Sequence, residues 1–325
     1  MSTAQRWLIF ILVSIIIILS FIDLRLTSHQ APTSDAIKEK QGLLSPRVYA
    51  GLLKPQSYLI LNYDPLKEVL QSYINENNLN LSIYVVNLRD GASMNIKAST
   101  SFPPASMHKV PIAILVAQDI EERKLNWTTM IPINDADRSS SWGELYKTTA
   151  KELPVRVLFE KMLRESDNTA FMALGEQIKT EDYDHLISDY LGYFSSKVEG
   201  NKENPLISPR SMYSIFSSLY LSTILQPNDS EYILSLLTNT SFDIHSFAHL
   251  PADVIVAQKF GENYEHGLQT FNDCGIMYVR EMKVFYCLMS NGIPQEKAAS
   301  TAGYIVSQIY QFTVQARDYF DNRQE

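Results

Sequence analysis

Ser106 and Lys109 stand three residues apart at the mouth of an apolar run, "FPPASMHKVPIAILVAQDI". On a helix, residues three apart share a face, so the hydroxyl and the amine are neighbours. A serine hydroxyl is a poor nucleophile until a base takes its proton, and a lysine whose pKa is lowered in a partly desolvated pocket can be that base. The first helical turn adds free backbone N–H groups and the positive end of the helix dipole beside whatever Ser106 attacks. Taken alone, the pair is equally an N-capping serine and a surface lysine on an ordinary helix. His108, between them, points off their shared face and reads as packing or surface.

Two further clusters are compatible with the same chemistry. Ser166-Asp167-Asn168, in "LRESDNTAFMAL", offers a hydroxyl that relays a proton and a carboxamide that holds a lysine or a substrate amide. Its plain structural reading is a helix stop followed by an N-cap. Lys259-Phe260-Gly261 closes the strand-like "DVIVAQKFG". There Lys259 brings positive charge, Gly261 lets a substrate lie against the strand, and the N–H of Glu262 joins that of Ser106 as an oxyanion hole. The plain reading is a strand that ends at a glycine turn.

These clusters need elements to bring them together. A helix is expected at "DPLKEVLQSYINENN", then the strand "LSIYVVNL", an Arg89-Asp90-Gly91 turn and a second strand, "ASMNI". From about residue 105 to 235 the pattern is mostly helical, with Ser106 opening one helix and Ser166 to Asn168 lying between two others. The polar loop "SSSWGELYKTT", with Trp142 and Tyr146, is placed to rim a cleft. Strands return at "VIVAQKFG", "CGIMYV" and "KVFYCLMS", before a long last helix through "EKAASTAGYIVSQIYQFTVQARDYF". The order of sheet, helical insertion, sheet and helix predicts an α+β fold, its antiparallel sheet drawing strands from both ends of the chain. The cleft should lie where the helical part meets the sheet.

Ser-x-x-Lys, Ser-Asp-Asn and a Lys-x-Gly that ends a strand, in this order, resemble the signature of the penicillin-recognising serine enzymes, the class A β-lactamases and penicillin-binding relatives. The resemblance covers approximately residues 63 to 319. It implies a five-stranded antiparallel sheet flanked by helices beside a helical subdomain. It implies Ser106 as the acyl-accepting nucleophile, Lys109 as its base partner, Ser166 as proton shuttle, Asn168 as orienting amide and Lys259 as electrostatic anchor. The substrate implied is a β-lactam, hydrolysed at its amide, or a peptidoglycan stem peptide handled by a D,D-peptidase or cell-wall acyltransferase. A wall-associated binding domain that keeps the fold without turnover is the third reading. Two departures matter. Phe260 replaces the usual threonine of Lys-Thr-Gly and so removes a hydroxyl that binds the substrate carboxylate. The Glu-x-x-Leu-Asn that activates the deacylating water has no clear match in "GYFSSKVEGNKENPLISPRSM", where Glu199 and Glu203 read as solvated loop acids.

The 325-residue chain has room for a sizeable core, and its net charge of -8 gives no reason to seek nucleic acid. No Cys/His set has zinc-ligand spacing, so neither metal nor cofactor is expected. The uninterrupted apolar run "WLIFILVSIIIILSFI" follows Arg6 and is followed by no small-x-small cleavage site. Residues 1–25 are therefore expected to anchor the chain in a membrane, 26–58 to form a linker and 59–325 an extracytoplasmic, monomeric catalytic domain. Cys274 and Cys287 fall in adjacent strands. A tight turn at Glu281 and Met282 sets them diagonally, which leaves a disulfide or two buried thiols both open.

Overall fold

Every residue of β1 (Leu81–Asn87) is buried. That pattern belongs to a central strand with layers packed on both of its faces. The computed structural model describes residues 42–44, 61–179, 182, 185–186, 206–265 and 268–321. The expected anchor, most of the expected linker, and Glu199 and Glu203 lie outside the described residues. Among those described, no helix is long and apolar enough to cross a membrane.

The chain enters through α1 (Asp64–Glu76), whose Leu66, Leu70 and Ile74 form one buried stripe. β1 then pairs with β2 (Ser93–Ile96). A 3-10 turn, Ala105–His108, leads into α2 (Lys109–Glu121), where every residue from Lys109 to Ala117 is buried. A helix apolar on all sides must be central, and α2 is enclosed by the rest of the helical layer. That layer holds α3 (Val155–Arg164), α4 (Asn168–Gly175), α5 (Pro209–Leu221) and α6 (Pro227–Leu237), with a small ribbon of β3 (Met130–Pro132) and β4 (Glu152–Pro154). After the short α7 (Ile244–Ala248) come three long strands, β5 (Ile255–Glu265), β6 (Leu268–Val279) and β7 (Met282–Ile293), and the closing helix α8 (Gln295–Asp321).

All neighbours in the five-stranded sheet are antiparallel, in the order β2-β1-β7-β6-β5. Strands from both ends of the chain thus share one sheet, and the expected α+β architecture is observed. One apolar core, with α1, α7 and α8, covers one face, and a second, with α2 to α6, covers the other.

Three expectations change. Ser106 does not open an α-helix but lies in the 3-10 turn, with Lys109 as the first α-helical residue. The β6–β7 turn is at Arg280 and Glu281, one residue earlier than expected, because Val279 pairs with Met282. Arg280 takes a positive φ of 48° to make that turn. The shift places Cys274 directly opposite Cys287 rather than diagonal to it, and the two form a disulfide.

Candidate active site

The 3-10 geometry improves the alignment that an α-helix gives Ser106 and Lys109, since i and i+3 eclipse when there are three residues per turn. Pro103 and Pro104 fix the approach, and Ala105 adopts a φ of +47°, a strained value for a residue with a Cβ. Asn272, fully buried on β6, donates from Nδ2 to the carbonyls of Pro103 and Pro104 at 2.9 and 3.3 Å. The sheet therefore holds the backbone that presents Ser106.

Lys109 is completely buried, yet four oxygens surround its amine. Nζ lies 2.9 Å from Ser106 Oγ, 2.6 Å from the Ser166 carbonyl, 3.1 Å from Ser166 Oγ and 2.6 Å from Asn168 Oδ1. The two nearest are carbonyl oxygens, which only accept. A neutral amine can donate its two protons to them and turn its lone pair to a serine hydroxyl. Burial lowers the Lys109 pKa to about 7, only partly offset by the charge of Asp167. Near neutral pH the amine can therefore both take and return a proton.

Ser166 sits at φ +55°, between α3 and α4, and faces two lysines. Lys259 Nζ donates to Ser166 Oγ at 3.0 Å and to the Phe260 carbonyl at 2.7 Å. Burial pushes the Lys259 pKa well down, the Lys109 charge pushes it further, and the Asp273 carboxylate opposes both. Asp167 supports the loop: it caps α4 by accepting from Ala170 N and also accepts from Leu145 N, both at 2.9 Å. Asn168 is held from its other end, with Nδ2 donating to Ser141 Oγ at 2.7 Å.

Gly261 brings β5 against Ser106. A Cβ there would lie 3.1 Å from the Pro104 carbonyl and 2.7 Å from Ser106 N, the second closer than any side chain tolerates. Gly261 is thus required by close backbone approach rather than by a turn. Phe260 is buried, its ring 5.5 Å from both Trp142 and Phe242. Ser106, Asn168, Trp142, Phe171, Glu262 and Tyr264 line a cleft of about 820 Å³. His108 also lines it, against Phe171 at 4.7 Å, with its pKa lowered to about 3, first by burial and then by the two lysine charges. It is neutral packing, as its helical position suggests. Tyr146 of the "SSSWGELYKTT" loop does not line the cleft.

All the predicted site residues except Glu262 are thus tied to one another by the contacts above, and Glu262 shares their cleft. Sequence reasoning missed Asn272, Gln269 and Asp273. The only signal was a polar cluster, "QTFND", at the start of a strand whose other half is apolar.

Several solved structures share the fold. The TLA-3 extended-spectrum β-lactamase superposes with a TM-score of 0.70 at 17% identity over 78% of this chain and 100% of its own. PBP-A gives a TM-score of 0.68 at 18% identity, over 78% of this chain and 97% of that one. A β-lactamase from Chitinophaga pinensis gives 0.67 at 18% identity, over 78% of this chain and 100% of its own. Likeness at such identities speaks for the fold alone. No curated protein matches the chain in sequence. Residues 65–313 match the model of the β-lactamase enzyme family, a span that takes in all three clusters, and the chain belongs to that family.

Proposed function

We propose that this protein is a serine hydrolase that opens the amide of a β-lactam through an ester on Ser106. The observation that carries the reading is the Lys109 amine, buried, near neutrality in pKa, and 2.9 Å from Ser106 Oγ. Neutral Lys109 takes the Ser106 proton as Oγ bonds to the carbonyl carbon. The N–H groups of Ser106 and Glu262 hold the negative oxygen that develops. The proton then passes from Lys109 through Ser166 Oγ to the departing nitrogen, the C–N bond breaks, and an ester remains on Ser106. Asn168 orients Lys109 and Lys259 orients Ser166. Water then adds to the ester, releases a carboxylic acid and restores the hydroxyl.

A second reading, D,D-peptidase or cell-wall acyl transfer on a peptidoglycan stem peptide, is favoured by Phe260. It occupies the position at which a hydroxyl for a β-lactam carboxylate is expected. We further propose that the apolar run at residues 7–22 anchors the domain outside the cytoplasm, in keeping with the Cys274–Cys287 disulfide.

Incubating the protein and its Ser106→Ala variant with a chromogenic cephalosporin and a fluorescent penicillin tests the reading. Sustained colour that depends on Ser106 supports β-lactam hydrolysis, and stable labelling without turnover supports the second reading. If intact-mass spectra show no adduct with any β-lactam or acyl-D-alanyl-D-alanine ester, both fail.

A further inference from the structure

The cleft that Ser106 lines also carries a carboxylate, that of Glu262. Glu262, half-buried on β5, accepts from Gln269 Nε2 at 2.6 Å. Gln269 is only 2% exposed, lines the same cleft, and its Oε1 has no partner among the described residues. Its orientation is dictated by its neighbour: reversing the amide would set its oxygen against the Glu262 carboxylate, so the NH2 faces Glu262 and the carbonyl is the free end. Gln269 Oε1 is itself enclosed, so what the pair presents to the cleft is the Glu262 carboxylate, held in place by the Gln269 amide.

The walls around it add no compensating positive charge. Asp137 is the other acid on the cleft lining, and among the described residues no arginine or lysine lines it. Lys109 and Lys259 lie fully buried beneath it, committed to Ser106, Ser166, Asn168 and the Phe260 carbonyl. Trp142 and the 55% exposed ring of Tyr264 complete the rim. A carboxylate with an aromatic rim suits an N–H-bearing cation, whereas a second carboxylate placed there would meet Glu262 in a half-desolvated setting.

We propose that the cleft selects a substrate bearing a primary ammonium or guanidinium group, such as the side chain of a basic residue in an acyl peptide, which the Glu262 carboxylate binds while Gln269 holds that carboxylate in place. This deepens the reading of Ser106 as an acyl-accepting nucleophile and rests on it for the covalent chemistry after binding. Equilibrium binding separates the two. The Ser106→Ala variant, which cannot form an ester, is titrated calorimetrically with the phenylacetylglycyl amides of lysinamide, norleucinamide and glutamic acid amide.

The lysine ligand should bind about fivefold more tightly than the near-isosteric norleucine ligand, the scale of a partly solvated ion pair, and the glutamate ligand most weakly. The preference should vanish in Ser106→Ala/Glu262→Gln and shrink at high salt. Equal binding of lysine and norleucine ligands overturns the proposal, as does a preference that survives Glu262→Gln, or no binding by a variant whose melting temperature matches the parent's. Failure of the parent chain to form any Ser106 adduct would instead strike the acyl-enzyme reading and leave this selectivity standing.

Discussion

Two carbonyl oxygens at 2.6 Å hold the Lys109 amine in place, and they also decide what it can do. Each consumes one N–H, so loss of a single proton leaves the lone pair for a hydroxyl. Acylation should therefore follow the deprotonated fraction of Lys109: its rate rises with pH, half-complete near the lowered pKa of about 7, and levels above it. Stopped-flow labelling with a fluorescent penicillin reads this directly, and a rate flat from pH 5 to 9 would count against Lys109 as the base. Lys109→Arg, which keeps the charge and cannot give up its proton, should lose roughly 10²- to 10⁴-fold in labelling rate. Phe260→Thr tests the altered third cluster. Restoring a hydroxyl that can bond a carboxylate should lower KM for penicillin G roughly tenfold, the scale of one hydrogen bond to a charged group. That Ser106, Lys109, Ser166, Asn168 and Lys259 converge was legible because acyl-enzyme chemistry would demand those types at those places. Asn272 and Gln269 were not, because they act by holding other groups, and many polar residues in a strand look alike.

At the scale of elements, the site is made where β5 meets the turn that carries Ser106. Gly261→Ala should force a Cβ to within 2.7 Å of Ser106 N and push the strand from Ser106. Labelling should fall at least about tenfold, as misplacement by a fraction of an ångström does in a preorganised site, while the melting temperature shifts by only a few degrees. Labelling at the parental rate would mean that the strand yields freely there. Asp167→Ala removes acceptors from Ala170 N and Leu145 N and should cost about 2 kcal/mol in urea unfolding. The element pattern was readable where periodicity was strong: α1's stripe, the apolar α2 and the long strands all fall near their expected places. It failed where one residue of turn geometry decides the outcome. Moving the β6–β7 turn by one position turned a diagonal cysteine pair into a directly opposed one, and hydrophobic alternation carries no signal for that shift. The ribbon of β3 and β4 has three residues in each strand, too few for a period to register.

Over the whole molecule, the sheet separates two cores, and β6, the strand next to its edge strand β5, carries an acid on the face away from Ser106. Asp273 on β6 pairs in register with Phe260, is fully buried, accepts from Tyr286 Oη at 2.9 Å and leaves Oδ1 without a partner among the described residues. Burial pushes its pKa up to about 7, although the Tyr286 hydrogen bond and the Lys259 charge pull it down. The consequence for stability has a definite sign. Below about pH 4 the carboxyl is protonated in both folded and unfolded chains. Between there and about pH 7 the unfolded chain releases the proton while the folded chain retains it, so this group's contribution to stability fades across that window and is lost above it. Asp273→Asn keeps an acceptor for Tyr286 and removes the titration. The variant should match the parent near pH 4 and gain on it as pH rises, by on the order of a few kcal/mol at pH 8. Urea unfolding of both proteins at several pH values measures the difference directly, and other groups cancel in it. A difference that stays constant from pH 4.5 to 8 would mean that Lys259 keeps the carboxylate ionised throughout. The sheet would then carry an ion pair across its two faces, linking the α8 side to Ser166.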